Sequence, residues 1–296
     1  MKYLMFHDIR DFNEDYFPKR YKLPYFYTIN SFKNILQRFK PISFNKELRG
    51  GYIYTFDDGL LDHYYVAKIL NSMNIRAIFF IPTAPIRERE MVLSHKIQFI
   101  IASRDENKIV SELLKLIKEN YEVSTKELEQ YKRSKWPNNI WSEEMIFITR
   151  ILREFKGKTD RKNLIDAMFS KFVSNDEKDF ANNFYLNIQQ VKEIANMNHI
   201  IGGHGDKSNN FSFCTNQEIM TEIKTSNDFI NLFNPKKKYY AYANGGFNYY
   251  SISMLDKYNF EMAFTTNIEN TTRSKLKNLF KKRIDPITLL SEKLST

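Results

Sequence analysis

Short apolar runs and amphipathic stretches alternate near the start of the chain. Residues 3–9 and 52–56 are apolar and aromatic-rich, and predict two buried strands. Residues 77–81, closed by Pro82, predict a third strand, and residues 62–73 carry apolar side chains at helical spacing. The order strand, helix, strand is a βαβ unit, so part of the sheet should be parallel.

The middle of the chain has a different pattern. From about residue 87 to residue 184, helical spacing and frequent charges replace the strand signals, most clearly at residues 108–118, 141–155 and 162–172. We predict that residues 86–185 form a helical insertion or lid.

The alternation of strands and helices resumes after this insertion. Strands are predicted at residues 199–201, 239–242, 262–265 and 282–285, with helices at residues 188–197, 217–233 and 251–258. Over this length the pattern predicts an α/β fold, a complete or distorted (β/α) barrel formed by residues 1–85 and 186–296.

Composition and cysteine count narrow the class of protein. The 296 residues are 42% hydrophobic, which is enough to build a sizeable core. The single cysteine excludes an internal disulfide and a cysteine-based zinc cluster. The N-terminus reaches Asp8 too early for a signal peptide, and no apolar run approaches the ~20 residues that span a bilayer. We therefore expect a soluble, cytoplasmic protein.

The net charge of +10 is uneven along the chain. Nucleic acid is not an expected partner, because the sequence contains no nucleic-acid-binding motif. Residues 273–283 hold six cations and no acid, interleaved with Leu276, Leu279 and Phe280 at helical spacing. A solvated basic helix is one interpretation, and weak association with an anionic membrane surface or a phosphorylated glycan carrier is the other.

Two adjacent carboxylates end the second predicted strand, in Thr55-Phe56-Asp57-Asp58-Gly59. Like charges repel, and burial makes ionisation of both more costly. A metal ion can bind one carboxylate and leave the other to act as a base. The alternative interpretation is an Asp-Gly turn that caps the following helix.

Two further loops follow predicted strands. His204 lies between Gly203 and Gly205, where active-site loops gather in parallel α/β folds. The strand at residues 239–242 runs into a glycine turn that could present backbone N–H groups to an oxyanion.

Together these segments resemble the polysaccharide deacetylase (NodB-homology) family. Residues 55–59 match its TFDDG motif, and residues 201–205 are similar to the opening of its histidine motif. Residues 241–248 are similar to its Y-P-x-G strand, and residues 6–9 to the YHxI opening of many members.

The resemblance implies a metal-dependent hydrolase that removes an N-acyl group, usually acetyl, from an amino sugar. Asp57 would be the general base, and Asp58 and His204 would bind a divalent metal, usually zinc. A backbone N–H near Tyr242, Ala243 or Asn244 would hold the oxyanion.

The sequence departs from the family pattern at three places. The second motif histidine is replaced by Ser208, the late histidine that usually acts as general acid is missing, and Ala243 replaces the motif proline. His7 or Asp206 could complete the metal site, or the site could be inactive. The substrate expected from the sequence is a nucleotide-linked or lipid-linked precursor of a surface glycan. The alternative is a catalytically impaired homologue that binds sugar or acts as a scaffold in glycan assembly.

Overall fold

A computed structural model describes residues 2–10, 27–41, 51–103, 105–132, 142–266 and 277–292. They divide into two compact units. The barrel unit contains the described residues up to Glu90 and those from Ala181 onward, and the helical unit is Met91–Phe180.

The barrel unit is built on seven strands that pair in chain order, each parallel to the next. The strands are β1 (Lys2–Phe6), β2 (Tyr52–Phe56), β3 (Ile78–Ile81), β4 (Ile200–Gly203), β5 (Lys238–Ala241), β6 (Phe260–Thr265) and β7 (Lys281–Lys282). Just after β7, Ile284 bridges to Leu4 of β1 and exchanges backbone hydrogen bonds with Tyr3 and Met5. The sheet is therefore nearly closed, which confirms the predicted distorted (β/α) barrel.

Helices connect the strands and make up the helical unit. In chain order they are α1 (Ile29–Arg38), α2 (Asp62–Ser72), α3 (Thr83–Arg87), α4 (Leu93–Ser103), α5 (Glu106–Asn120), α6 (Thr125–Lys132), α7 (Glu143–Glu154), α8 (Lys158–Phe172), α9 (Glu177–Phe184), α10 (Ile188–Asn196), α11 (Asn216–Asn231), α12 (Tyr249–Lys257) and α13 (Pro286–Glu292). The boundary between the two units falls within α9.

Strand side chains are buried on both faces of the sheet, which explains the nearly continuous apolar runs in the sequence. Successive residues point to opposite faces, so each strand contributes side chains to more than one hydrophobic cluster. One cluster includes Leu4, Phe6, Tyr54, Phe56, Phe79 and Ile81 together with the helices of the barrel unit. The other consists of Tyr3, Ile53, Ile78, Phe80, Tyr239, Ala241 and Phe264.

The helical unit has a core of its own and one buried cation. Apolar residues of α5 and α7, among them Ile109, Leu113 and Ile148, are fully buried. The buried Lys96 Nζ donates to Asp166 Oδ1 at 2.6 Å and to Glu177 Oε2 at 2.7 Å. Because a buried ammonium is costly without partners, these two carboxylates fix α4 against the neighbouring helices. The function of this unit as a lid stays a prediction.

The cation-rich segment near the C-terminus does not form the predicted solvated helix. Residues 273–276 lie outside the described residues, and Lys277–Phe280 form a 3₁₀ turn that leads into β7. Leu279 and Phe280 are buried, and so is Arg283. The prediction of one exposed basic helix is therefore wrong for residues 277–283, because pairing with β6 and β1 places this segment in the barrel. No helix among the described residues is long and apolar enough to cross a bilayer.

His63 of α2 is a buried, neutral part of the barrel core. Its ring packs against the stacked rings of Phe56 and Phe79, at centroid distances of 5.6 and 5.9 Å. His63 Nε2 lies 2.8 Å from the carbonyl oxygen of His7 and donates to it, because a carbonyl can only accept. Burial lowers the pKa of His63 from 6.5 to about 4.

We predict that His63 makes the fold sensitive to acid. Below pH ~6.5 the unfolded chain binds a proton that the folded protein excludes, so stability falls as the pH drops towards about 4. Between pH 7.5 and pH 5 this histidine should cost on the order of 2 kcal/mol. The measurement is urea unfolding at both pH values, for wild type and for His63→Leu.

His63→Leu is expected to be less stable at either pH, so the comparison uses the difference between the two pH values. That difference should be smaller in His63→Leu by about the amount attributed to the histidine. Identical pH dependence in the two proteins would show that the ring does not titrate as the buried position requires.

Candidate active site

Four predicted site residues come together at the carboxyl ends of three strands. His7 follows β1, Asp57 and Asp58 follow β2, and His204 follows β4. In a parallel barrel these ends share one edge, where active sites are usually built. The sequence separates the residues widely, and the closure of the barrel brings them together.

Asp57 is buried and paired with an arginine from the far end of the chain. Arg283 Nη1 donates to Asp57 Oδ1 at 2.6 Å, and Nη2 donates to Oδ2 at 2.5 Å. Both side chains are nearly inaccessible, with exposures of 3% for Asp57 and 1% for Arg283. The same guanidinium donates to Thr55 Oγ1 at 3.1 Å and lies over the Phe80 ring. This two-pronged pair fixes the plane and orientation of the carboxylate.

Asp57 remains ionised despite its burial. Burial by itself would raise the pKa of the carboxyl group. The charge of Arg283 outweighs this effect, so the pKa of Asp57 lies below its ordinary value. The carboxylate is therefore negative and ready to accept a hydrogen bond at neutral pH.

Asp58 and His204 form a second, separate pair. Asp58 adopts φ of 77°, and Gly59 follows with φ of 62°, so the turn directs Asp58 away from the path of β2. Asp58 Oδ1 lies 3.4 Å from His204 Nε2. The other ring nitrogen, His204 Nδ1, is 2.8 Å from the carbonyl oxygen of Ala241 and must donate to it.

This geometry calls for a cation between the two side chains. With Nδ1 protonated, the neutral imidazole presents a lone pair from Nε2 to the Asp58 carboxylate, and two acceptors repel. A proton on Nε2 or a metal ion shared with Asp58 removes the repulsion. Two ligands at about 2.1 Å from one tetrahedral zinc lie roughly 3.4 Å apart, which matches the observed separation. Burial lowers the pKa of His204, but the charge of Asp57 and the hydrogen bond with Asp58 more than reverse this and raise it.

The donor set fits two ligands of a divalent metal. A backbone carbonyl that holds the far nitrogen, as Ala241 does, is the usual support of a metal-binding histidine. Across the ranges that the structure describes, no three His, Cys, Asp or Glu side chains form a cluster that could hold a metal. Catalytic zinc usually has three protein ligands, so Asp58 and His204 supply an incomplete set.

The residues predicted as additional ligands are placed as follows. The Asp206 carboxylate accepts hydrogen bonds from Thr83 Oγ1 and, at 3.2 Å, from Arg87 Nη2. His7 Nε2 lies 3.9 Å from Asp57 Oδ2, on the side of the base. Ser208 is half-buried with φ of 56° in the loop after β4. Their roles as ligands stay predictions.

The predicted oxyanion segment is a turn that follows β5. The Tyr242 N–H donates to the carbonyl oxygen of Phe264 at 2.9 Å, so this amide is engaged in the sheet. The Tyr242 hydroxyl donates to Leu279 O at 2.9 Å. Ala243 is buried at the start of a 3₁₀ turn, and Asn244 is exposed with φ of 51°. Of the three predicted residues, Ala243 and Asn244 are the better amide donors to a ligand.

Two residues of the site, Arg283 and Glu222, are not among the site residues predicted from the sequence. Arg283 belongs to the cation-rich segment and to the strand predicted at residues 282–285, and in the structure it directly follows the last short strand. Glu222 is a buried carboxylate on α11 whose oxygens accept from the backbone N–H groups of Asp206 and Lys207. A readable signal existed, because Glu222 lies on the same helix face as the apolar Ile219 and Ile223.

Comparisons with known proteins agree with this geometry. A family model described as polysaccharide deacetylase matches residues 169–263, which include His204 and the turn at residues 243–245 but not the Asp57–Asp58 pair. The fold places that pair beside His204. The resemblance to the polysaccharide deacetylase family is confirmed. The predicted class, a carbohydrate N-deacetylase-like hydrolase of non-peptide carbon–nitrogen bonds, is confirmed by this family match.

Solved structures support the barrel at low sequence identity. The Streptococcus pyogenes deacetylase PplD, in complex with acetate, is 15% identical with a TM-score of 0.55, and the match covers 98% of this chain and 96% of PplD. IcaB from Ammonifex degensii is 12% identical with a TM-score of 0.50, over 96% of this chain and 90% of IcaB. At these identities the likeness shows the fold alone. No curated protein matches the sequence.

We predict that Asp57 and Arg283 depend on each other for stability. Removing one partner of a buried ion pair leaves the other charge uncompensated, so Asp57→Asn and Arg283→Met should each destabilise the protein by about 3–5 kcal/mol. The double variant should lose clearly less than the sum of the two single losses. The measurement is the free energy of unfolding in urea for all four proteins.

A matched exposed pair serves as control. Lys237 Nζ lies 2.6 Å from Glu261 Oε1 on exposed side chains, and a cycle on that pair should give a coupling of at most about 1 kcal/mol. Additive losses at Asp57 and Arg283 would contradict the proposed coupling.

Proposed function

We propose that this protein removes an N-acyl group, most simply acetyl, from an amino sugar within a glycan or a glycan precursor. The observation that carries the proposal is the meeting of two differently supported carboxylates at one edge of the barrel. Asp57 is paired with Arg283 and Asp58 faces His204, so a metal ion bound by Asp58 and His204 would leave Asp57 to act as the base. This division of roles suits metal-assisted hydrolysis of an amide.

Asp58 and His204 are the residues that would hold a divalent metal, zinc being the metal that the family resemblance implies. When bound, such an ion supplies polarisation of the amide carbonyl and acidification of a water molecule. The backbone carbonyl of Ala241 keeps His204 in the tautomer whose free nitrogen faces the ion.

Asp57 is suited to accept the proton of the attacking water. Its two oxygens are oriented by Arg283, and its low pKa keeps it ionised over the whole physiological range. A carboxylate with a low pKa is a weak base, so positioning rather than basicity must supply most of its effect.

His7 is the candidate to protonate the leaving amine. The late histidine of the family pattern is missing, but His7 Nε2 lies 3.9 Å from Asp57 Oδ2 with 30% of the side chain exposed. The backbone of His7 is fixed, because its carbonyl accepts from His63. An imidazole beside the base and open to solvent can donate a proton and be reprotonated from water. The geometry favours this role over that of a metal ligand.

The substrate that we propose carries its amino sugar on a nucleotide or a lipid. A nucleotide- or lipid-linked carrier was suggested by the cation-rich segment, and part of that support is lost because Arg283 is paired with Asp57 inside the barrel. The exposed Lys282 remains at this end of the segment.

A non-catalytic sugar-binding protein is the second candidate. It is favoured by the incomplete ligand set, since a metal held by two side chains would dissociate readily. Metal content and turnover separate the two candidates. Turnover of an N-acetylated amino-sugar oligosaccharide supports the hydrolase, and binding of the same oligosaccharide without turnover supports the alternative.

We predict that Asp57→Asn and His7→Gln both abolish most of the hydrolysis. Loss of a general base or acid usually costs ~10²–10⁴-fold in kcat, with less effect on KM. The measurement is acetate release from an N-acetylated amino-sugar oligosaccharide, at a temperature where unfolding curves show each variant folded.

Zinc affinity distinguishes a general base or acid from a metal ligand. Both variants should retain the zinc affinity of the wild type, and His204→Ala should lose it. Wild-type turnover in either variant would remove that residue from the mechanism, and loss of zinc in His7→Gln would make His7 a ligand instead.

We also predict that Ser208→His tightens metal binding. It places an imidazole four residues after His204, in the loop where the family pattern has one, and histidine tolerates the left-handed backbone of this position comparatively well. A third ligand should increase zinc affinity by about an order of magnitude or more. The measurement is competition with a chromophoric chelator, and Ser212→His on an exposed position of the same stretch is the control. Equal affinities of Ser208→His and wild type would mean that another residue already fills this position.

A further inference from the structure

The loop that follows His204 rests on a buried carboxylate. Glu222 of α11 is only 4% exposed and lies against residues 204–209, here called the histidine loop. Its Oε2 accepts from the Asp206 N–H at 2.8 Å, and both oxygens accept from the Lys207 N–H at 3.2 Å. Asn209 Nδ2 donates to Oε1 at 2.8 Å. One side chain thus accepts hydrogen bonds from three residues of the loop, Asp206, Lys207 and Asn209.

The opposite side of the histidine loop is fixed by the start of α3. The Thr83 N–H donates to Gly205 O at 3.1 Å, and the Ala84 N–H donates to Asp206 O at 2.9 Å. The Thr83 hydroxyl donates to the Asp206 carboxylate. The histidine loop is therefore held by Glu222 on one side and by the start of α3 on the other.

The approach of Glu222 to the loop depends on a glycine. Gly205 has φ of 82°, and a Cβ atom at this position would collide with Glu222 Oε2. A residue with a side chain would push the carboxylate off the loop. The glycine that follows His204 is thus explained by Glu222 as well as by the backbone turn.

The donors around Glu222 define what it can do. All of its partners in the histidine loop are N–H groups, so both oxygens must accept, as an ionised carboxylate does. Burial raises the pKa of Glu222 against this requirement. A buried carboxylate that accepts hydrogen bonds from backbone amides fixes the path of that backbone.

We propose that Glu222 is the positioning residue of His204. The His204 ring is held on one side by Ala241 O, and its Nε2 must face Asp58 at 3.4 Å. The direction in which the His204 ring points depends on the backbone path of the residues that follow β4. Glu222 fixes this path through its hydrogen bonds with the Asp206 and Lys207 amides. Glu222 contacts none of the reacting groups, so it acts through His204. The inference rests on the proposed function only for its effect on turnover.

The test compares Glu222→Ala and Glu222→Gln with wild type and with Ile219→Val. Ile219 is a fully buried apolar residue on the same helix, so its variant lowers stability without changing the support of the loop. Three quantities are measured on folded protein: the downfield proton signal of His204 Nδ1–H in metal-free protein, zinc affinity by chelator competition, and kcat and KM for an N-acetylated amino-sugar oligosaccharide.

The expected results differ between the variants. Glu222→Ala should lose the slowly exchanging His204 signal, bind zinc about 10- to 100-fold more weakly, and lose kcat by a similar factor with KM within about two-fold. Glu222→Gln keeps one acceptor oxygen for the Asp206 and Lys207 amides, so its values should lie in between. Ile219→Val should match wild type in all three quantities.

The proposal is overturned if Glu222→Ala keeps the His204 signal and the wild-type zinc affinity. If Glu222→Ala does not fold, Glu222→Gln decides by the same criteria, since its shape is preserved. Absence of turnover in the wild type would reject the proposed function alone, because the imidazole signal needs neither metal nor substrate.

Discussion

The bidentate ion pair between Arg283 and Asp57 is the interaction on which the barrel and its site both depend. It joins β7 to β2 across the interior of the barrel, beside the point where Ile284 pairs with β1. A carboxylate buried next to another carboxylate would otherwise be protonated or expelled. Closure of the sheet supplies the compensating charge, so the fold and the ionisation state of Asp57 are established together.

The site distributes its acidic groups among different partners. Asp57 has an arginine, Asp58 has an imidazole, Asp206 has a hydroxyl and a second arginine, and Glu222 has backbone amides. These partners determine whether each carboxylate can act as a base, bind a metal or hold the backbone. Asp58 is the carboxylate that faces an imidazole nitrogen, a combination of ligands that zinc prefers, which is why a metal is proposed there and not at Asp206. The buried Glu222 shows that a carboxylate in an active site can serve by holding backbone.

The departures from the family pattern acquire a physical meaning in the barrel. The predicted base, Asp57, is paired with Arg283, which follows the last strand of the barrel and lies outside the segments that carry the resemblance. We propose that His7 takes the place of the missing late histidine, because β1 lies next to β2 and His7 Nε2 lies 3.9 Å from Asp57 Oδ2. The replacement of the second motif histidine by Ser208 has no such counterpart among the described residues. Metal binding is therefore the property in which this protein is expected to differ most from the family pattern.

The sequence by itself determined the strands and helices, and it indicated which strand ends carry the candidate site residues. Apolar runs of strand length, the Asp57-Asp58-Gly59 turn and the glycines around His204 are local signals, and each was readable without knowing its neighbours in space. The parallel barrel followed from the alternation of those runs with helices. Only the tertiary structure decided which side chains meet. Arg283 reads as one more cation in a basic segment, and its partner is 226 positions away. Glu222 reads as a charge on an amphipathic helix, and its partners are the amides of a loop. Such pairings depend on how the sheet closes and on how closely neighbouring helices and loops approach each other. Neither property can be predicted from the hydrophobic periodicity of the sequence.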